Sequence, residues 1–228
     1  MKISVLMPIY NEIQTIEDVL NLVRHIDIDK EIVLVDDCST DGTREFLKKS
    51  FGDGQDDVKV VYHEVNKGKG AAIRTALDHA NGEYIVVQDA DMEYSPKDIE
   101  RLVQTAEETN EVAVYGSRFL DSWKSTSLPH FAVNKFLTML TNLFFGGSLT
   151  DMETCYKLVK TDVMKEFDIK AKKFDFEPEV TAKLLKKGYK IKEIPVSYRG
   201  RSYDEGKKIG WYDGIEAVLT LIKYRLGG

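Results

Sequence analysis

A chain of 228 residues, 43% hydrophobic and 31% charged with 5 prolines, has the material for one large α/β domain and the wrong composition for a disordered segment. Its net charge of −6 argues against a broad nucleic-acid surface, though not against a local basic pocket. Cys38 and Cys155 lie far apart and are expected as free thiols, no apolar run nears the ~20 residues of a spanning helix, and the N-terminus enters a strand pattern at once, so the expected location is cytoplasmic.

Strand and helix patterns alternate from the start. Residues 3–8 read as a strand, and 13–26 as a helix with an apolar stripe at Ile16, Val19, Leu20 and Val23. A continuous apolar strand follows at 31–36, then a polar turn through 37–42 and a helix reaching 49. Residues 52–57 read as an acidic surface loop. Strands at 58–63, 83–89 and 111–116 alternate with helices at 70–80 and 96–107. Unbroken apolar strands at this rhythm predict a mostly parallel sheet covered on both faces. The second half is less regular, with an apolar helix at 131–145, a strand at 156–159, a helix at 177–187, a strand at 191–196 and a closing amphipathic helix at 210–226. One domain is expected, with an accessory helical part at its C-terminal end.

Parallel strands share a direction, so the polar clusters that end them should gather on one rim, where open α/β sheets bind ligands. The first is Pro8-Ile9-Tyr10-Asn11-Glu12 and the second Asp36-Asp37-Cys38-Ser39-Thr40-Asp41-Gly42-Thr43. Ser39 or Asp41 suits a helix N-cap, whereas Asp36 and Asp37 would repel each other unless a donor or cation faced them. Asn66-Lys67-Gly68-Lys69-Gly70 joins a strand to a helix; it suits an anion at a helix N-terminus or simply a tight turn, and lacks the Walker spacing. The fourth strand ends in Asp89-Ala90-Asp91, two hard-oxygen ligands suited to Mg²⁺ or Mn²⁺ shared with phosphates. Arg118 ends the next strand, placed for a phosphate or for a salt bridge. Residues 199–208 carry Arg199, Arg201, Lys207 and Lys208 among glycines and acids, as a solvated loop or a lid over phosphates. Zinc spacing and a Gly-x-Ser-x-Gly elbow are both missing.

In this order the segments resemble the family 2 glycosyltransferases of the GT-A (Rossmann-like) fold, and among them the polyprenyl-phosphate (dolichol-phosphate) sugar synthases. Thr150-Asp151 with Lys157, Phe176-Glu177-Pro178-Glu179 and Pro195-Val196-Ser197-Tyr198 extend the likeness over nearly the whole chain. The resemblance implies a donor half at 1–118 and an acceptor half at 119–228. It implies a UDP- or GDP-sugar donor, Mg²⁺ or Mn²⁺, and transfer with inversion to a lipid phosphate. Pro8, Tyr10, Glu12 and Asp37 would then hold the nucleoside, with Lys67 and Ala90 also at the donor. Asp89, Asp91 and Glu93 would be the metal ligands, Arg118 would face the acceptor phosphate, and Arg201 with Lys207 would cap the phosphates.

An anionic phosphate acceptor needs no general base; a glycan, glycolipid or small-molecule hydroxyl does, and Asp151 or Glu153 is the carboxylate best placed by sequence. A sugar-1-phosphate nucleotidyltransferase is rejected, because the first strand is not followed by a glycine-rich, arginine-containing loop. The apolar helix with Phe131, Phe136, Leu137, Met139, Leu140 and Leu143 either packs into the core or touches a bilayer or prenyl chain, making peripheral contact with a membrane or a membrane protein an expected partnership.

Overall fold

A computed structural model describes residues 1–52, 54–55, 57–121, 127–201 and 210–227. Its centre is a sheet of eight strands in the order β3-β4-β2-β1-β5-β7-β6-β8. The strands are β1 (Ile3–Ile9), β2 (Lys30–Asp36), β3 (Gly54–Gln55), β4 (Val58–Tyr62), β5 (Tyr84–Val87), β6 (Ala113–Ser117), β7 (Lys157–Lys160) and β8 (Ile191–Pro195). Around them lie α1 (Ile16–His25), α2 (Thr43–Phe51), α3 (Lys69–Asp78), α4 (Lys97–Thr109), α5 (Leu128–Phe145), α6 (Thr161–Glu166), α7 (Phe176–Lys186) and α8 (Trp211–Arg225).

The parallel core β4-β2-β1-β5 follows from strands that are apolar on both faces. Val5, Leu6 and Met7 of β1 are fully buried, as are Leu34 and Val35 of β2. Each such side chain contributes roughly 1.5–3 kcal/mol by leaving water. Helix α1 buries Ile16, Val19, Leu20 and Val23, the stripe that its sequence period requires. It starts three residues later than the periodicity alone suggests, because residues 13–15 turn to let the Thr15 hydroxyl donate to the Ala90 carbonyl at 2.6 Å.

Two elements differ from the sequence reading. A two-residue strand, β3, occupies part of the expected acidic loop and pairs antiparallel with β4. The short helix α6 follows β7 where no element was expected. Strand β7 enters between β5 and β6, antiparallel to both. Two successive reversals leave β6 pointing the same way as β5, so residues after both strands share one rim, and β8 extends the sheet parallel to β6.

Helices α5, α7 and α8 pack together beside this rim, around a small cluster of Leu137, Leu149, Met152, Ala217 and Leu221. Only Leu137, Thr138 and Thr141 of α5 are buried. Phe136, Met139 and Leu143 are 51%, 58% and 75% exposed, so the reading of this helix as a core element fails. No helix among the described residues is long and apolar enough to cross a membrane.

Gly68 has φ +91° and a Cβ there would overlap the Lys172 carbonyl. Gly68→Ala is therefore expected to cost about 2–4 kcal/mol, from backbone strain plus overpacking. Urea unfolding of the variant checks this, and a loss below about 1 kcal/mol would contradict the close approach of the 66–70 loop to residues 171–172.

Candidate active site

The carboxyl ends of β1, β2, β4, β5 and β6 open onto a cavity of about 1040 Å³. Pro8 lies near the end of β1 with Tyr10 and Glu12 just beyond it, Asp37 follows β2, and Lys69 opens α3. Asp89, Ala90, Asp91 and Glu93 follow β5, and Arg118 follows β6. The facing wall brings His130, Val133 and Leu137 of α5, Asp213 of α8, and Phe174 and Glu177 near the start of α7.

The acids on this rim are tolerated because each meets a donor. Asp36 accepts from Arg44 Nε at 2.6 Å, and Arg44 also donates to the His63 carbonyl. Asp37 accepts backbone N–H bonds from Lys67 at 2.9 Å and Gly68 at 2.7 Å. Its Oδ1 also lies 2.7 Å from His63 Nδ1, and His63 Nε2 lies 2.9 Å from the Thr75 hydroxyl. Asp37 thus pins the loop that presents Lys69. Neither Ser39 nor Asp41 is an N-cap. Gly42 takes that position at φ +102°, while Asp41 accepts from the Thr43 N–H at 3.0 Å and the Ile13 N–H at 3.1 Å.

Lys69 Nζ bridges two carboxylates, Asp89 at 2.9 Å and Glu177 at 3.0 Å. Although burial opposes it, those two charges hold the ammonium well above its ordinary pKa. Arg201 closes the other side: its guanidinium contacts Glu12 at 3.0 Å and Asp91 at 3.3 Å, and its N–H donates to Glu93 at 2.7 Å. Tyr198 donates its hydroxyl to the second Glu93 oxygen at 3.1 Å. Burial, then the charges of Asp89 and Glu93, push Asp91 up to about 7 against the pull of Arg201. With Lys69 and Arg201 lying against the acids, no three acidic, His or Cys side chains among the described residues are gathered as a ready metal cage.

Arg118 reaches the cavity between the rings of Phe119 and Tyr198, its Cζ 5.2 and 5.1 Å from their centroids. Asp151 fixes it through paired 2.7 Å contacts to Nε and Nη2, and accepts its backbone N–H as well. Beneath lies Lys157, buried and donating to the carbonyls of Met152 at 2.6 Å and Thr154 at 2.5 Å. Glu153 also lines the cavity, and its Oε1 is shielded from solvent with no hydrogen-bond partner among the described residues. Burial, then the neighbouring Glu177 charge, push its carboxyl up to about 8.

Of the residues singled out by sequence, Pro8, Tyr10, Glu12, Asp37, Asp89, Ala90, Asp91, Glu93, Arg118 and Arg201 come together on the cavity. Two do not. The Lys67 side chain points out to solvent while the loop turns Lys69 inward. Asp151 lies fully buried behind Arg118 with both oxygens engaged, a geometry that opposes its use as a general base. Lys207 lies outside the described residues. Sequence reasoning gave no role to Lys69, Glu177 or Tyr198, although the motifs containing them were visible.

The model of a protein family described as "Glycosyl transferase family 2" matches residues 4–167. This chain belongs to that family. An undecaprenyl-phosphate mannosyltransferase of Micrococcus luteus is 26% identical over 237 residues, covering 99% of this chain and 95% of the relative. A dolichol-phosphate mannosyltransferase of Pyrococcus furiosus is 26% identical over 235 residues, covering 98% of this chain and 64% of the relative. Among solved structures, glucosyl-3-phosphoglycerate synthase from Mycobacterium tuberculosis in complex with Mn²⁺, UDP and phosphoglyceric acid superposes with a TM-score of 0.71 at 21% identity, covering 98% and 78%. S. aureus TarS 1–349 in complex with UDP-GlcNAc gives 0.67 at 19% identity, covering 100% and 67%. These structures share the fold, and the sequence relatives mark the chain as a glycosyltransferase resembling the polyprenyl-phosphate sugar synthases. In this glycosyltransferase Glu177, Tyr198 and Arg201 all lie beyond the stretch that the family model matches.

Two outcomes test this geometry. Asp151→Ala strands the buried Arg118 guanidinium and is expected to cost about 3–5 kcal/mol in urea unfolding; a cost below about 1 kcal/mol would contradict the ion pair. Glu153 has its folded pKa raised from 4.5 to about 8, so the folded state holds a proton that the unfolded chain has already lost. Its contribution to stability therefore falls as pH rises through that window. Glu153→Gln should gain on wild type between pH 5 and 8 and level off above, and a pH-independent difference would refute the shift.

Proposed function

We propose that this glycosyltransferase moves a hexose from a UDP- or GDP-sugar to a polyprenyl phosphate, with inversion and with the help of Mg²⁺ or Mn²⁺. The observation that carries the reading is the cavity itself: a carboxylate cluster and two cations at its floor, and apolar helices at its edge. The undecaprenyl- and dolichol-phosphate mannosyltransferases named above support the acceptor class.

The donor set fits a divalent cation. Asp89, Asp91 and Glu93 are hard-oxygen groups on one cavity, and the raised Asp91 reflects burial first and then the charges of Asp89 and Glu93, which a cation would offset. Magnesium commonly takes only one or two carboxylates and fills its remaining positions with water and phosphate oxygens, so a complete protein cage is not required. When bound, the ion would supply Lewis-acid stabilisation of the departing diphosphate. Pro8, Tyr10 and Glu12 wall the nucleoside side of the cavity, and Asp37 acts there through the loop it pins. Arg201, now on Glu12 and Asp91, is the side-chain cation for the leaving diphosphate. Lys207 is assigned the same task by sequence.

Arg118, oriented by its paired contacts to Asp151, is the cation for the acceptor phosphate. An acceptor phosphate oxygen attacks the anomeric carbon, the carbon–oxygen bond to the nucleoside diphosphate breaks, and the diphosphate leaves with the electron pair. The nucleophile is already an anion, so no base is consumed. In this reading residues 1–118 serve chiefly the donor and 119–228 chiefly the acceptor. The exposed Phe136, Met139 and Leu143 of α5 with Ile215, Leu219 and Ile222 of α8 give the prenyl chain or a membrane surface an apolar flank. If the acceptor were instead a hydroxyl, the base would fall to Glu153, which lines the cavity, rather than Asp151.

Calorimetry with UDP and GDP, with and without Mn²⁺, tests the donor site. One nucleotide should bind in a metal-dependent manner and lose at least tenfold in Asp91→Ala. Incubation of the matching labelled sugar nucleotides with undecaprenyl phosphate should carry label into the organic phase; label confined to the aqueous phase for every sugar tried would reject the lipid acceptor.

A further inference from the structure

Glu177 stands in the first turn of α7, 5% exposed, with one carboxylate oxygen on Lys69. Its other oxygen, Oε2, is buried without a hydrogen-bond partner among the described residues, and the side chain lines the cavity. Glu153, whose side chain lines the same cavity, has a second such oxygen, Oε1. A buried acceptor left unpaired is costly, and a pair of them on one cavity wall marks a place where a ligand supplies donors.

The charges nearby decide what kind of ligand that is. Lys69 lies on Glu177, and the Lys157 ammonium is buried beneath the pair on the carbonyls of Met152 and Thr154. Two fixed ammonium groups beside two carboxyls leave little attraction for a further cation. An anion gains little, since the unpaired Glu177 oxygen offers it no proton and both ammonium groups are already engaged, Lys69 on two carboxylates and Lys157 on two carbonyls. A neutral molecule rich in hydroxyl groups satisfies both oxygens without adding charge. Lys69 also ties the pair to Asp89, so the subsite adjoins the carboxylates assigned to the donor diphosphate.

We propose that Glu153 and Glu177 form the subsite for the transferred hexose, each accepting a hydrogen bond from a sugar hydroxyl, with Lys69 joining that subsite to the diphosphate end of the donor. The assignment rests on the nucleotide-sugar reading above and adds to it two specificity-determining residues. Glu153, which has no ion-pair partner among the described residues, selects among hydroxyl configurations, and Glu177 is fixed by Lys69 as the reference point.

The test compares each nucleoside diphosphate with its hexose conjugate, by calorimetry in Mn²⁺, using UDP against UDP-glucose and GDP against GDP-mannose. Glu153→Leu and Glu177→Gln should bind the diphosphate within about twofold of wild type. They should bind the conjugate about tenfold more weakly, equivalent to roughly 1.4 kcal/mol. Conjugate affinity unchanged in both variants would overturn the proposal. So would equal losses for diphosphate and conjugate, which would mean a structural role, or normal binding with lost turnover, which would mean a general base. Glu153→Leu breaks no ion pair among the described residues and keeps the test decisive if Glu177→Gln folds poorly. Wild-type protein that bound neither diphosphate would reject the donor reading itself, an outcome distinct from wild type binding both ligands and the variants behaving like it.

Discussion

Carboxylates crowded on one edge of a parallel sheet repel one another, and this protein keeps them there only by bringing a donor to each from elsewhere in the chain. Arg44 comes to Asp36 from α2, and His63 and two loop amides come to Asp37. Lys69 serves Asp89 from the start of α3, and Arg201 serves Asp91 from more than a hundred residues away. Arg118 serves Asp151 across the reversal between β6 and β7. The rim is therefore a set of long-range ion pairs and hydrogen bonds, and the fold beneath it is what makes their partners meet.

The same constraint explains how much could be read in advance. Strand direction and strand-end chemistry suffice to gather Tyr10, Asp89, Asp91 and Arg118, since parallel strands deliver their carboxyl ends to one edge. What the sequence hides is which member of a local pair turns inward. Lys67 and Lys69 differ only in how Gly68 bends the backbone, and that bend is set by the pressing carbonyl of Lys172, about a hundred residues away. Asp151 and Glu153 likewise exchange their expected importance because Arg118 claims the first and leaves the second facing the cavity. Glu177 carries no local sign of its role. Its place at the start of α7 becomes meaningful only once Lys69 is seen to bridge it to Asp89.

Helix α5 shows a different limit. Its composition is that of a core helix, and its apolar residues run nearly all round, which is why period alone left its environment open. The narrow buried stripe through Leu137 and Thr141 packs toward α7 and α8, while the broad remainder faces outward beside the cavity. The outward face is thus larger than packing requires, on a helix whose Val133 and Leu137 line the cavity.

The insertion of β7 between β5 and β6 also sets an order of assembly. As the chain is synthesised, β1, β2, β4 and β5 can close into their parallel unit early, since their partners are close in sequence. Strand β6 emerges next and has no seat, because its neighbours β7 and β8 are still to come. Until β7 arrives, β5 is an open edge of the kind that pairs with other chains. The half of the molecule that carries the acidic rim is therefore its most vulnerable part during synthesis, and the antiparallel strand that completes the sheet is also what seals it.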